Sequence, residues 1–331
     1  MLRKLVIALI LVGLIAAAGF AGGQTESAVD RSECVVGELD ERYCDRTGNL
    51  VADPPVDPSR WIDPQNLIFA YTPVEDPAVY EEVWRDFLEF LEERIDRRVT
   101  YFGVQSYSAQ VEAMRAGRLH ISGFASGNVQ NAVNQAGFVP QVIAAEPDDE
   151  FGYRMQIIVH VDSDIYTPED LRGRQIAFVS ESSNSGYFAP RALLYEEFDM
   201  LPGQDYRTAF SGSHENSFQG VYHKDYEAAA VADVVGVRMN RGGRLGDLNQ
   251  FRVVYESDKF PTTAYGVVYN LHPDLQEKIN QAWLDFEWEG SSLQGEWEER
   301  DRFIPIDFER NWAVLRTIRR GSDAVAEILG E

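Results

Sequence analysis

The chain has 331 residues, with 54 acidic against 30 basic side chains and a formal charge of −24. That balance argues against a nucleic acid as partner, because a phosphate backbone is bound by a basic face. Two cysteines and five histidines, none at zinc-ligand spacing, argue against a metal centre, and no cofactor is expected.

Met1-Leu2-Arg3-Lys4 is basic, residues 5–18 are apolar, and residues 19–23 are mostly small. A basic start, a short apolar core and an A-x-A-like end predict a secretory signal peptide over 1–23. The apolar run is shorter than the ~20 residues of a membrane span. No later segment is apolar enough to cross a bilayer, so an exported, extracytoplasmic protein is expected. Residues 24–64 read as an extended N-terminal arm, because Asp53-Pro54-Pro55 and Asp57-Pro58 favour extended backbone. In an exported chain, Cys34 and Cys44 are expected to pair and staple this arm.

Beyond the arm, strands and helices alternate. A strand is predicted over 66–71, then a helix over 77–95 with Tyr80, Val83, Trp84, Phe87, Leu88 and Leu91 on one stripe. A strand over 99–102, a helix over 106–116, a strand over 119–124, a helix over 128–136 and strands over 141–145 and 155–161 follow. A second set holds a short capped turn over 167–171, a strand over 175–179 and a helix from Tyr187. It continues with a strand over 206–210, a helix over 215–224, a strand over 228–231 and a helix opening at Asp233. Strands over 252–255 and 264–269 and a helix over 273–286 come next, and the rest reads as mostly helical. This alternation predicts an α/β fold of two lobes, each a mainly parallel sheet flanked by helices. The expected division is lobe 1 over 65–153 and 257–331, and lobe 2 over 154–256.

In open α/β sheets, ligands bind beyond the carboxyl ends of the strands. The most informative segment there is Ser180-Glu181-Ser182-Ser183-Asn184-Ser185-Gly186, between an apolar strand and a helix. The first N–H groups of a helix lack internal partners, and its dipole favours negative charge at that end. Ser183 and Ser185 add hydroxyl donors, Asn184 adds an amide, and Gly186 allows close approach of backbone to a ligand. Thr72 after the first strand and Ser126 before a helix occupy equivalent positions. Tyr107 and Tyr153 offer phenol donors. His214 offers a ring donor whose protonated form a bound anion would favour. Asp233 caps its helix or accepts from a ligand. Each of these residues also has an ordinary structural reading as a cap or a satisfied core group. No Gly-x-Ser-x-Gly elbow, Walker loop or dinucleotide fingerprint occurs, so an enzyme is not expected.

These residues resemble the phosphonate-binding family of type II periplasmic binding proteins, the substrate-binding components of phosphate, phosphite and phosphonate ABC importers. The resemblance covers roughly 66–290. It is carried by Ala70-Tyr71-Thr72-Pro73, Tyr107, Gly152-Tyr153, the stretch from Asp170 to Phe178, Ser183-Asn184-Ser185-Gly186 with Pro190, and Gly212-Ser213-His214-Glu215. It implies two crossing segments at the hinge, near 152–157 and 256–264. It also implies a phosphorus oxyanion held by Tyr107, Tyr153, Ser183, Asn184, Ser185 and His214, and delivery to a membrane permease by a monomer. Members that take aminoalkyl phosphonates hold the ammonium with acidic residues. One such position falls near Thr263, which is not acidic, so a ligand without an amine is expected. The same fold binding another small anion, or presenting its ligand to a sensor kinase, is the alternative. An exported enzyme using Asp233 or His214 as base lacks a nucleophile to serve.

Overall fold

A computed structural model describes Cys34 and residues 37–331 except Glu298. The predicted signal peptide and the first part of the arm lie outside the described residues.

The first half of the chain runs β1 (Asn66–Tyr71), α1 (Pro77–Ile95), β2 (Arg98–Tyr101), α2 (Tyr107–Arg115), β3 (Ile121–Phe124), α3 (Ser126–Ala136) and β4 (Phe138–Ala145). The predicted α1 stripe faces inward, extended by Ile95, and Asp76 caps the helix by accepting from the Ala78 N–H at 3.0 Å. The chain then crosses to a second unit: β5 (Tyr153–His160), β6 (Gln175–Phe178), α4 (Ala189–Phe198), β7 (Arg207–Phe210), α5 (His214–Tyr222), β8 (Ala228–Ala232), α6 (Asp233–Arg241) and β9 (Phe251–Phe260). It returns through residues 261–263 to β10 (Ala264–Val268), α7 (Pro273–Asp285), α8 (Ser292–Glu296), β11 (Arg302–Pro305), α9 (Phe308–Asn311) and α10 (Ala313–Leu329).

The result is a two-lobed α/β fold built on two sheets. Their orders are β11-β4-β10-β3-β1-β2 and β7-β6-β8-β5-β9. The sheets are mixed rather than mainly parallel. β1 runs parallel to β2 and β3, and β6 parallel to β7 and β8. β10 opposes β3 and β4, while β5 opposes β8 and β9. The crossings explain this: a strand that re-enters a sheet from the other lobe arrives from the opposite end. β11 is an edge strand that the sequence reading took as helical. Its four residues carry a charge and a proline, features that suit a sheet edge and hide a short strand.

An aromatic cluster fills the first lobe. Phe87 stacks on Trp283 with ring centroids 4.0 Å apart, and Trp84, Tyr71, Tyr265 and Phe303 close around them. The arm packs on this lobe through Tyr43, which meets Tyr269 edge-on, and Cys34 and Cys44 are joined as a disulfide. α10 lies against α4, beside the second sheet, although the sequence grouped residues 313–329 with the first lobe.

Candidate functional site

β6 delivers the serine loop to the space between the lobes. Pro190 has no N–H, so the Gly186 carbonyl receives no helical hydrogen bond from it. Instead the Val179 N–H donates to that carbonyl at 2.8 Å, tying the loop to the strand end. The turn that follows is wider than an α-turn: the Phe188 N–H donates to the Ser183 carbonyl, five residues back, at 3.1 Å. Such turns recur at functional sites. Gly186 serves this packing rather than approach to a ligand, because a Cβ there would stand 2.5 Å from the Val179 Cβ. The Ser183 hydroxyl accepts from the Gly186 N–H at 3.0 Å.

From the other lobe, α3 points its first residue at the same space. The Ser126 hydroxyl lies 2.8 Å from the Tyr153 phenol oxygen, which also accepts from the Asn184 amide at 3.0 Å. Burial raises the Tyr153 phenol pKa, with hydrogen bonds to Ser126, Asn184 and Ser185 opposing it. The phenol therefore keeps its proton. The Ser126 carbonyl accepts from the buried Trp312 indole at 3.0 Å, so the C-terminal segment steadies the start of α3. Tyr107 opens α2 with a buried hydroxyl that has no hydrogen-bond partner.

His214 opens α5 and is buried, not partly exposed. Its Nδ1 accepts from the Ala232 N–H at 3.2 Å, which leaves the proton on Nε2. Nε2 lies 3.5 Å from the Ser183 hydroxyl. Burial, and then the Arg238 charge, lower its pKa from 6.5 to about 3. The protein surroundings thus make His214 a neutral donor. This has a consequence for stability. The unfolded chain binds a proton near pH 6.5, whereas the folded ring refuses it until about pH 3. Stability present above pH 6.5 is therefore lost as pH falls through that window, at about 1.4 kcal/mol per pH unit. Chemical denaturation at pH 7 and pH 4.5 should show a smaller pH loss for His214→Asn than for the unaltered protein. Equal losses would refute the assignment.

Tyr107, Ser126, Tyr153, Ser183, Asn184, Ser185 and His214 line one cavity, part of it open to solvent. Thr72 and Asp233 do not line it. The Thr72 N–H donates to the Gly123 carbonyl at 3.0 Å, and its side chain is enclosed behind the end of β1. The Asp233 carboxylate accepts from the Arg154 N–H at 3.1 Å and from the Val234 N–H at 2.7 Å, fastening α6 to β5. It borders an adjoining outer cavity instead. The Asp233 carboxylate is taken up by backbone N–H groups and the Thr72 side chain is enclosed, a distinction that spacing does not encode.

The sequence reading passed over charged groups at the site. Glu75, fully buried, accepts from Arg238 Nε at 3.0 Å and Nη2 at 2.6 Å, and Arg244 lies 2.5 Å from its other oxygen. Burial alone would raise the Glu75 pKa, but the two guanidinium charges outweigh it and hold the carboxyl below the usual range. Glu75 follows β1, while Arg238 and Arg244 lie on and after α6, so the ion pairs span the two lobes. The legible signal for Arg238 was its place three residues after Val235 and one before Met239, on the buried face of α6. Tyr71, Thr262, Thr263, Trp297 and Arg300 complete the cavity wall. Thr262 and Thr263 belong to the return crossing, where the resemblance implies a ligand position near Thr263.

Comparisons with known proteins agree with this geometry. The family model described as the phosphonate ABC transporter periplasmic substrate-binding protein matches residues 69–312. The phosphate-import protein PhnD of Mycolicibacterium smegmatis is 25% identical over 283 residues, covering 80% of this chain and 85% of the relative. The phosphonates-binding periplasmic protein of Escherichia coli is 21% identical over 226 residues, 66% of either chain. Among solved structures, PhnD1 of Prochlorococcus marinus in complex with methylphosphonate shares the fold. Its TM-score is 0.65 at 19% identity, covering 79% of this chain and 99% of that one. Matched over most of its length, the chain belongs to the family of periplasmic substrate-binding proteins of phosphonate ABC transporters.

Proposed function

We propose that the cavity captures a phosphonate, phosphite or phosphate group between the two lobes and that the protein delivers it to a membrane permease. One observation carries this reading: neutral donors converge on a single space from helix starts in both lobes. They are the hydroxyls of Ser126, Ser183 and Ser185, the Asn184 amide, the His214 Nε2–H and the unpartnered Tyr107 hydroxyl. Fixed dipoles at helix starts suit a tetrahedral oxyanion and act locally, so the negative surface does not oppose them. The relatives named for phosphate import and for phosphonate binding support the same ligand class. Lobe closure around the ligand supplies the signal that a permease reads, and no covalent step is needed.

The export signal over 1–23, an extracytoplasmic location and a monomeric state belong to this proposal. Among the described residues no helix is long and apolar enough to cross a membrane.

The deciding measurement is thermal unfolding of the refolded, ligand-stripped protein against phosphate, phosphite, methylphosphonate, 2-aminoethylphosphonate and sulfate. A ligand at ~100 times its dissociation constant adds about 2.7 kcal/mol of stability. The expected result is a shift with phosphorus oxyanions and none with sulfate. Among the described residues the cavity lining contains no carboxylate to hold an ammonium, so methylphosphonate is expected to bind more tightly than 2-aminoethylphosphonate. The reverse order would refute the amine-free reading, and no shift with any phosphorus oxyanion would refute the ligand class.

A further inference from the structure

The cavity wall combines the neutral donors with two charged groups, Arg238 and Arg300, the only ones in the lining among the described residues. Arg238 is neutralised by Glu75 and lies 3.3 Å from Glu296. Arg300 is half-buried and has no acidic partner among the described residues. Burial, with Arg238 adding like-charge repulsion, disfavours its charge. A guanidinium keeps its proton in proteins, so this cost is relieved by an anion rather than by titration. The same wall holds Thr262, buried with a hydroxyl that has no partner among the described residues.

Two acidic groups that border the outer cavity are already engaged: Asp233 accepts two backbone N–H bonds, and Glu296 faces Arg238 and Arg244. Glu299 borders the same outer cavity, and Glu146 attracts Arg300 without forming an ion pair with it among the described residues. What remains is a guanidinium with no direct ion pair among the described residues and one unpartnered hydroxyl, in the wall of the cavity that the neutral donors line.

We propose that Arg300 binds a second anionic group on the ligand, so that the site selects a phosphonate bearing a carboxylate over one bearing a bare alkyl chain. This rests on the reading of the donor ring as the phosphorus-oxyanion site. The guanidinium fork matches a carboxylate in bidentate geometry, and Thr262 supplies a further donor to the same group.

The test is calorimetric titration of the unaltered protein and Arg300→Gln with methylphosphonate and phosphonoacetate at one ionic strength. The unaltered protein is expected to bind phosphonoacetate at least tenfold more tightly than methylphosphonate. Arg300→Gln is expected to abolish that ratio while leaving methylphosphonate affinity within threefold. Equal or weaker binding of phosphonoacetate by the unaltered protein overturns the inference and leaves the proposed function intact. A variant that weakens both ligands equally also overturns it, by placing Arg300 on the phosphorus oxyanion itself. If neither ligand binds, and phosphate and phosphite also fail, the proposed function falls and the inference with it. The ratio in the unaltered protein decides even if Arg300→Gln does not fold.

Discussion

Glu75→Ala is expected to weaken ligand binding by about 10²-fold while leaving each lobe folded. The carboxylate is fully buried and faces Arg238 and Arg244, both supplied by the other lobe. Removing one partner of a buried ion pair typically costs 3–5 kcal/mol, because the remaining charges lose their counterion without regaining water. Glu296 stays close to Arg238 and offsets part of that loss, so the lower end, about 3 kcal/mol, is the better figure. When the lobes part, the arginines are rehydrated, so the penalty falls on the closed form. Since every 1.4 kcal/mol is a factor of ten, the closure equilibrium and the apparent affinity drop together by about two decades. Burial shields the pairs from salt, so the loss should persist at high ionic strength. Titration of the best-binding phosphorus oxyanion, with far-ultraviolet circular dichroism as the folding control, measures it. A folded Glu75→Ala protein with affinity within threefold of the original would show that the ion pairs do not hold the lobes shut.

What the sequence disclosed followed from local chemistry. The α1 stripe and the strand, turn and helix start around the serine loop are written in spacings of two to four residues, and the structure forms them there. The same logic brought Tyr107, Ser126, Tyr153, Ser183, Asn184, Ser185 and His214 together, because strand ends and helix starts fix where a side chain emerges. The misses have another origin. Glu75 meets Arg238 across 163 positions and from the other lobe. The tautomer of His214 depends on a backbone N–H eighteen residues away, at the end of β8, and its neutral state on burial and on Arg238. Trp312 reaches the first turn of α3 from 186 positions further on, which no periodicity reports. Strand direction was misjudged for a related reason: alternation of elements does not show where the chain changes lobes.

Gly127→Ala should abolish tight binding without lowering the stability of the free protein. Gly127 is the second residue of α3, and the serine loop of the other lobe passes directly over it. A Cβ there would lie 2.4 Å from the Asn184 backbone nitrogen and 2.9 Å from the Ser182 carbonyl oxygen. Those are backbone atoms, which cannot swing aside as a flexible side chain would. The loop would have to move away from Ser126 and Tyr153, parting the two helix starts that face the ligand. Within its own helix, alanine replaces the least favoured ordinary residue and contributes up to about 1 kcal/mol of helix propensity. The two effects have opposite signs and act on different states: closure is opposed, while the open protein is unharmed or slightly stabilised. Ligand-free unfolding temperature should therefore hold or rise while affinity falls at least tenfold, and Gly127→Val should extend the loss. A general structural defect would lower both quantities together. Undiminished affinity in Gly127→Val would mean that ligand capture does not require the contact between α3 and the serine loop.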